Sequence, residues 1–497
     1  MTRPLSRRTF LRTGAALGVL SLAGGPALAQ TGPKFSNPLA IPPLETGRTE
    51  GGLRIFDLTM RDGTSEFFKG YRTATRGINA DYLAPVLRMN KGERVRFNVT
   101  NALKEVTTLH WHGFNLPARA DGGPHQEIAP GTTWSPEFEI VEEAATMWFH
   151  AHTLHKTAQQ VWSGLAGMAI IDDGPAPGGL PATYGVDDFP VVLQDRRFRL
   201  SGAMPYNANM RDVMAGMQGN YPLINGTIAP YLDVTTERVR LRLLNGSNAS
   251  IYNLVFSDGR DFQVVGTDGG LLAAPATVNR LTLAPGERAE IVVTLTPGTP
   301  VVLNSVAATG RARGGMMGGG MMGGMMGEQS PEFSLLELRP AASLAPGAPI
   351  PATLANLPAP DASQATNTRR FSLEMGMGPG MMMGRGGFTI NGQAMDMARV
   401  DEVVKMGETE IWEVTAIGPM AHPFHVHNTQ FRILDRDGRP PAPHEAGRKD
   451  TVLVHPGEVV RILIRFDNYT DPERPYMLHC HILEHEDAGM MGQFTVV

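Results

Sequence analysis

The chain has 497 residues, 42% hydrophobic and 19% charged, with a net charge of −5, 27 methionines and a single cysteine. That length allows two to four domains of roughly 100–200 residues each, and the composition excludes a wholly disordered or fibrous chain. One cysteine excludes an internal disulfide, a cysteine-rich zinc site and an iron–sulfur cluster of the chain's own.

Residues 1–29 read as a twin-arginine signal peptide. Ser6-Arg7-Arg8-Thr9-Phe10-Leu11-Arg12, an apolar run from Ala15 to Leu22 and the small-residue cleavage pattern Ala27-Leu28-Ala29 follow in order. The apolar run is shorter than the about 20 residues needed to cross a bilayer. The expectation is therefore a folded protein exported to the periplasm, with no membrane span. Losing Arg3, Arg7, Arg8 and Arg12, and no acid, takes the 44 basic residues to 40 against 49 acidic ones, a net charge of −9. Without a basic stripe, nucleic acid is not an expected partner. The protein is expected to be a monomer.

Two Pro/Gly/Ala-rich stretches, Asp173 to Gly185 and Pro340 to Thr368, read as linkers. They leave three segments of similar size, 45–172, 183–339 and 369–497. Each holds an alternating run suited to a half-buried strand: Val95 to Asn101, Val239 to Asn245 and Glu410 to Ala416. Each later holds a Pro-Gly turn, at Pro130-Gly131, Pro285-Gly286 and Pro456-Gly457. Helical periodicity is scarce. The reading is all-β: three diverged copies of a β-sandwich with Greek-key connections.

The outer copies carry His-x-His pairs at matched positions: His110/His112 and His150/His152 in the first, His425/His427 and His479/His481 in the third. The middle copy has Leu254 and Phe256 where the first pairs fall and no pair at the second position, so it reads as a spacer. Strand residues two apart share a face, so each pair presents two imidazoles to one side. One such pair is ordinary on a surface strand; four at matched positions are not. Imidazole clusters suit copper or zinc, whereas magnesium and calcium prefer oxygen. Eight imidazoles exceed the four ligands of one tetrahedral zinc, so several metals must share them.

The lone cysteine sits inside a pair, as His479-Cys480-His481, and alternation turns it away from its neighbours' face. With His485 five residues on, Met490 ten residues on and His422 as a further imidazole, the set matches His₂Cys with a weak axial Met, that of a blue-copper site. The first copy has Ala151 at the matched position, so only the third can build it.

Four motifs, Thr108-Leu-His-Trp-His-Gly113, Trp148-Phe-His-Ala-His152, His422-Pro-Phe-His-Val-His427 and His479-Cys-His-Ile-Leu-Glu-His-Glu-Asp-Ala-Gly-Met490, resemble those of the bacterial three-domain multicopper oxidases, built from cupredoxin-like domains. The resemblance covers essentially the whole mature chain. It implies four copper ions, with His422, Cys480, His485 and Met490 on a type 1 copper and His110 and His425 on a type 2 copper. His112, His150, His152, His427, His479 and His481 would hold a type 3 pair. It also implies electron transfer to O₂, giving water, at a cluster between the first and third domains. Asp121 and Glu486 match the family's proton donors there.

Methionine is concentrated in two tracts. Residues 314–327 include Met316, Met321 and Met325; residues 375–397 include Met375, Met377 and Met381. Met420 stands two residues before His422. Thioether sulfur selects Cu(I) over harder ions, and such tracts resemble those of copper-efflux cuprous oxidases. The expected reductant is Cu(I), in copper tolerance; the alternatives are laccase-like oxidation of small phenols or aromatic amines, and non-catalytic copper binding. Some cell-division proteins resemble this fold without its copper ligands, but all 12 positions are retained here.

Overall fold

The computed structural model describes residues 34–308, 330–376 and 387–497. The signal sequence, Met316, Met321, Met325, Met377 and Met381 lie outside them. The strands that position the site are, in chain order, β1 (Arg94–Asn101), β2 (His110–His112), β3 (Ala145–His150), β4 (Arg238–Asn245), β5 (Arg288–Thr294), β6 (Thr409–Ile417), β7 (His422–Val426), β8 (Thr451–Val454) and β9 (Asp471–Cys480). Three short helices accompany them: α1 (Thr157–Ser163), α2 (Met210–Ala215) and α3 (Leu483–Asp487).

The described residues form six sheets, two in each third of the chain. In the first third β1 lies in one sheet and β2 and β3 in the other; in the last, β6 lies in one and β7, β8 and β9 in the other. One pairing recurs three times. β1, β4 and β6 each take a parallel partner on one side (Leu53–Phe68, Asp188–Arg196 and Ala365–Met375) and an antiparallel one on the other (Glu137–Glu139, β5 and Val459–Arg465). This repeated topology makes three cupredoxin-like Greek-key sandwiches. Each buries an apolar core between its two sheets, with Phe97 and Phe149, Leu241 and Phe256, and Trp412 and Phe494 as examples.

The three alternating runs form strands with bounds within a residue of those expected, because in-out alternation matches the pleat. The three Pro-Gly turns carry their glycines at φ +75°, +86° and +71°, the left-handed region only glycine enters freely. The stretch 340–368 is shorter as a linker than its composition suggests. Strand Phe333–Ala345 runs into one end, paired to Pro230–Thr236, and Ala365–Met375 begins within the other.

β4 departs from its expected half-solvated face. Arg240 and Arg242 are buried along with its leucines. Arg242 pairs with Asp188 at 2.8 Å and with Glu290 at 2.9 Å, Arg240 pairs with Glu290, and Thr146 of β3 donates to Glu290 at 2.6 Å. The polar face of the middle sandwich is thus ion-paired within itself and meets the first sandwich through the Thr146 hydroxyl. Burial opposes ionisation of Glu290, yet Arg240 and Arg242 hold its carboxyl at about 2.

Glu290→Gln leaves two buried guanidiniums short of a partner and should cost about 3–5 kcal/mol, read as a lowered thermal midpoint at pH 7. A depressed carboxyl stabilises fully above its ordinary value, 4.5, and loses that contribution as pH falls toward about 2. The gap between variant and wild type should therefore close across that acid range.

Candidate metal centre

Sheet register assembles the histidines. β2 and β3 pair antiparallel with His110 opposite His150, and β7 and β9 with His425 opposite His479. Alternation sends Trp111 and Phe149 into the first core and Cys480 into the third, leaving the flanking histidines on the other face. The ten histidines of the motifs are buried to 1% exposure or less. His125, His155 and His455 are exposed and His444 is half-buried.

The donors fall into groups whose ligand atoms lie within 4.8 Å of one another: His112, His150 and His481; His152, His427 and His479; His110, His425 and His427; and His422, Cys480 and His485. In the second group His479 Nε2 is 3.2 Å from both His152 Nε2 and His427 Nε2. In the last, His422 Nδ1 lies 3.4 Å from Cys480 Sγ and 3.3 Å from His485 Nδ1. Met490 is fully buried in the same core as Cys480, and the Cys480 amide donates to its carbonyl at 3.0 Å.

Carbonyl and carboxylate oxygens set the tautomers, because a ring nitrogen facing such an acceptor carries the proton. Nδ1–H donates to Asp121 O from His110 (2.9 Å), to Asp450 O from His425 (2.8 Å), to Ala151 O from His150 (2.9 Å), to Cys480 O from His479 (3.0 Å) and to Asp121 Oδ2 from His427 (2.8 Å). Each of these leaves Nε2 bare. His112 is reversed: its Nε2–H donates to Asp450 Oδ1 at 3.0 Å, leaving Nδ1 bare. His485 donates from Nε2 to Met214 O of α2 at 3.2 Å, so its Nδ1 faces Cys480.

These residues fit a borderline-to-soft cation. His110 Nε2, His112 Nδ1, His150 Nε2, His425 Nε2 and both nitrogens of His481 are buried with no hydrogen-bond partner, a costly condition unless a metal completes it. Burial keeps the imidazoles neutral, with His150 held at about 3 and His422 and His479 at about 4, so each offers a lone pair. Burial pushes the Cys480 thiol up, and a bound cation is what reverses that preference.

Two acids stand against the rings. Asp121 is buried with Oδ1 3.5 Å from His110 Nδ1, and Glu486 of α3 has its two oxygens 3.3 Å from His152 Nδ1 and His479 Nδ1. Burial shifts both carboxyls upward. Met420 is buried in the Cys480 core, and Met375 and Met214 pack against it half-buried. Gly418 (φ +127°) lies beside Met375, since a Cβ there would sit 3.9 Å from Met375 Cβ.

Sequence reasoning missed α2 and Asp450. For α2 a signal existed: Met204, Met210, Met214 and Met217 form another methionine-rich run. For Asp450 there was none, since its partners His112 and Arg288 lie 338 and 162 residues away.

Cys480→Ser should fold and yet bind one copper fewer per chain without any strong blue absorption. Copper analysis and a visible spectrum of the loaded protein check this; a retained blue band would remove Cys480 from the site.

Family models described as multicopper oxidase match residues 59–176, 208–310 and 357–497. The chain is 35% identical over 456 residues to the multicopper oxidase mco of Staphylococcus haemolyticus (strain JCSC1435), covering 91% of this chain and 90% of that protein. It is also 35% identical over 500 residues to the cell division protein FtsP of Escherichia coli (strain K12), covering 99% of each. Among solved structures, a laccase-like multi-copper oxidase CueO from the lignin-degrading bacterium Ochrobactrum sp. superposes with a TM-score of 0.82 at 37% identity, covering 93% of this chain and 100% of that one. Repeated sandwiches, buried imidazole clusters around one cysteine, and relatives of matching length agree: the chain belongs to the multicopper oxidase family and is an oxidoreductase that uses O₂.

Proposed function

We propose that this oxidase takes its electrons from Cu(I), holds one type 1, one type 2 and two type 3 coppers, and serves copper tolerance in the periplasm after twin-arginine export. In this reading His422, Cys480, His485 and Met490 hold the type 1 copper, and His110 and His425 the type 2 copper. His112, His150, His481 and His152, His427, His479 hold the type 3 pair. When bound, these coppers accept electrons singly and deliver four to O₂, giving two waters.

The chain's own residues supply the rest. Cys480 belongs to one site and its peptide neighbours His479 and His481 to the other, so a short covalent path joins them. Asp121 and Glu486 hold protons at carboxyl oxygens beside His427 and His479, where water formation consumes them. α2 covers the outer edge of His485, its Met214 carbonyl accepting the Nε2 proton.

The observation that carries Cu(I) as substrate is the sulfur on this electron-accepting side. Met420, Met375 and Met214 pack around the Cys480 core, and thioethers are ligands for Cu(I). A covered His485 edge also suits a small ion better than a flat ring. The second reading, oxidation of small phenols, is favoured by the Ochrobactrum relative, described with oxidase activity towards lignin model compounds and lignosulfonate. FtsP is named for cell division; non-catalytic copper binding is disfavoured here by the full set of buried donor groups.

O₂ uptake with Cu(I) and with a phenol, measured side by side on copper-loaded protein, decides between the first two. Met375→Leu with Met420→Leu should lower kcat/KM for Cu(I) about tenfold or more and leave the phenol nearly unchanged; equal loss would overturn Cu(I) as the intended substrate. Asp121→Asn should slow reoxidation by O₂ roughly 10²-fold, the scale of general acid–base assistance, while type 1 reduction stays as in wild type. Stopped-flow absorbance separates the two steps.

A further inference from the structure

The middle sandwich holds none of the proposed copper ligands, and by sequence it is a spacer. Its β5 end nevertheless abuts the histidines. A Cβ on Gly286, in the turn leading to β5, would stand 2.9 Å from the His481 ring, so that turn forms part of the wall. Two residues on, Arg288 is buried to 1% exposure and its guanidinium is fully engaged. Nη1 and Nη2 donate to the two carboxylate oxygens of Asp450 at 2.8 and 2.6 Å. The other hydrogens go to Thr146 O of β3 (3.0 Å), Gly286 O (3.1 Å) and Asp268 O (3.0 Å).

Asp450 is what Arg288 holds in place. Its Oδ1 accepts the Nε2 proton of His112, and its carbonyl accepts the Nδ1 proton of His425, 2.8 Å away at the head of β8. Unlike His110, His150, His425, His427 and His479, His112 is turned with Nδ1 rather than Nε2 toward its group. No backbone carbonyl fixes that orientation; a carboxylate side chain does, and a carboxylate can rotate. A bidentate Arg fork removes the rotation, which a Lys point charge would not.

We propose that Arg288 is a positioning residue for the trinuclear histidines: through Asp450 it fixes the tautomer and ring orientation of His112 and anchors His425. This rests on the reading of His112 and His425 as copper ligands. The middle sandwich is then the third wall of that centre rather than a spacer. Partners of this kind behind a metal-binding histidine typically cost 10–100-fold in affinity or activity when removed.

The test compares copper-loaded wild type with Arg288→Lys, Arg288→Gln, Asp450→Asn and the Arg288→Gln/Asp450→Asn double variant. Expected are an unchanged blue absorption and type 1 reduction rate within twofold, an altered type 2 electron paramagnetic resonance spectrum, and reoxidation by O₂ slowed about tenfold or more. The double variant should be no more than about twofold slower than the worse single one, because both act through one contact. Wild-type-like spectra and reoxidation in Arg288→Gln, or effects that multiply in the double variant, would overturn the proposal. If Arg288→Gln does not accumulate folded, the same readouts in Arg288→Lys decide. A wild type that binds type 1 copper alone would overturn the ligand assignment and this proposal together, whereas a silent Arg288→Gln beside a normal wild-type spectrum overturns only the latter.

Discussion

Ten imidazoles and one thiol share the interior of this protein, with ring nitrogens as close as 3.2 Å, and the rest of the structure follows from that burial. At 1% exposure or less those nitrogens are shielded from bulk solvent. Leaving a buried polar atom without a partner costs about 1–3 kcal/mol, and seven ring nitrogens of His110, His112, His150, His152, His425 and His481 have none. Rigid sheets hold the rings in that arrangement. Every ligand sits in, or within a few residues of, a strand whose neighbours are fixed by ladder hydrogen bonds, so the rings cannot relax apart to find other partners.

Much of this was legible in the sequence because strand geometry has period two. The His-x-His spacing was enough to place two rings on one face and to turn Cys480 toward the opposite one, and the structure keeps both relations. Which pairs share a group was not legible, since His112, His150 and His481 come together only through the packing of the first sandwich against the third. The reversed tautomer of His112 was hidden for the same reason. It depends on Asp450, which resembles any acid in Lys449-Asp450-Thr451 until β8 is laid beside β7.

The middle copy shows where pattern reading reaches its limit. Alternating Arg and Leu in β4 has the form of a half-solvated strand, yet Arg240 and Arg242 are buried with the leucines. The pattern reports only that the two faces differ in polarity, not that one meets water. Here it meets another sandwich, and the guanidiniums are tolerable because Asp188 and Glu290 lie opposite them. Arg288 extends the same device to the metal centre. Having no ligands to keep, the middle copy uses charged residues to fix its neighbours.

The same economy explains the single cysteine. A thiol whose proton affinity burial has raised is a poor nucleophile and a poor target for oxidants, so Cys480 is inert until a cation lowers that affinity. Its core position and its function are therefore one arrangement. The strand alternation that points Sγ inward toward His422 and His485 also points its two neighbours outward to the other histidine groups, so in the proposed reading a sulfur sheltered from chemistry on its own becomes a short link between two metal sites. Moving the cysteine by one residue in either direction would break both roles, because it would exchange the faces that separate them.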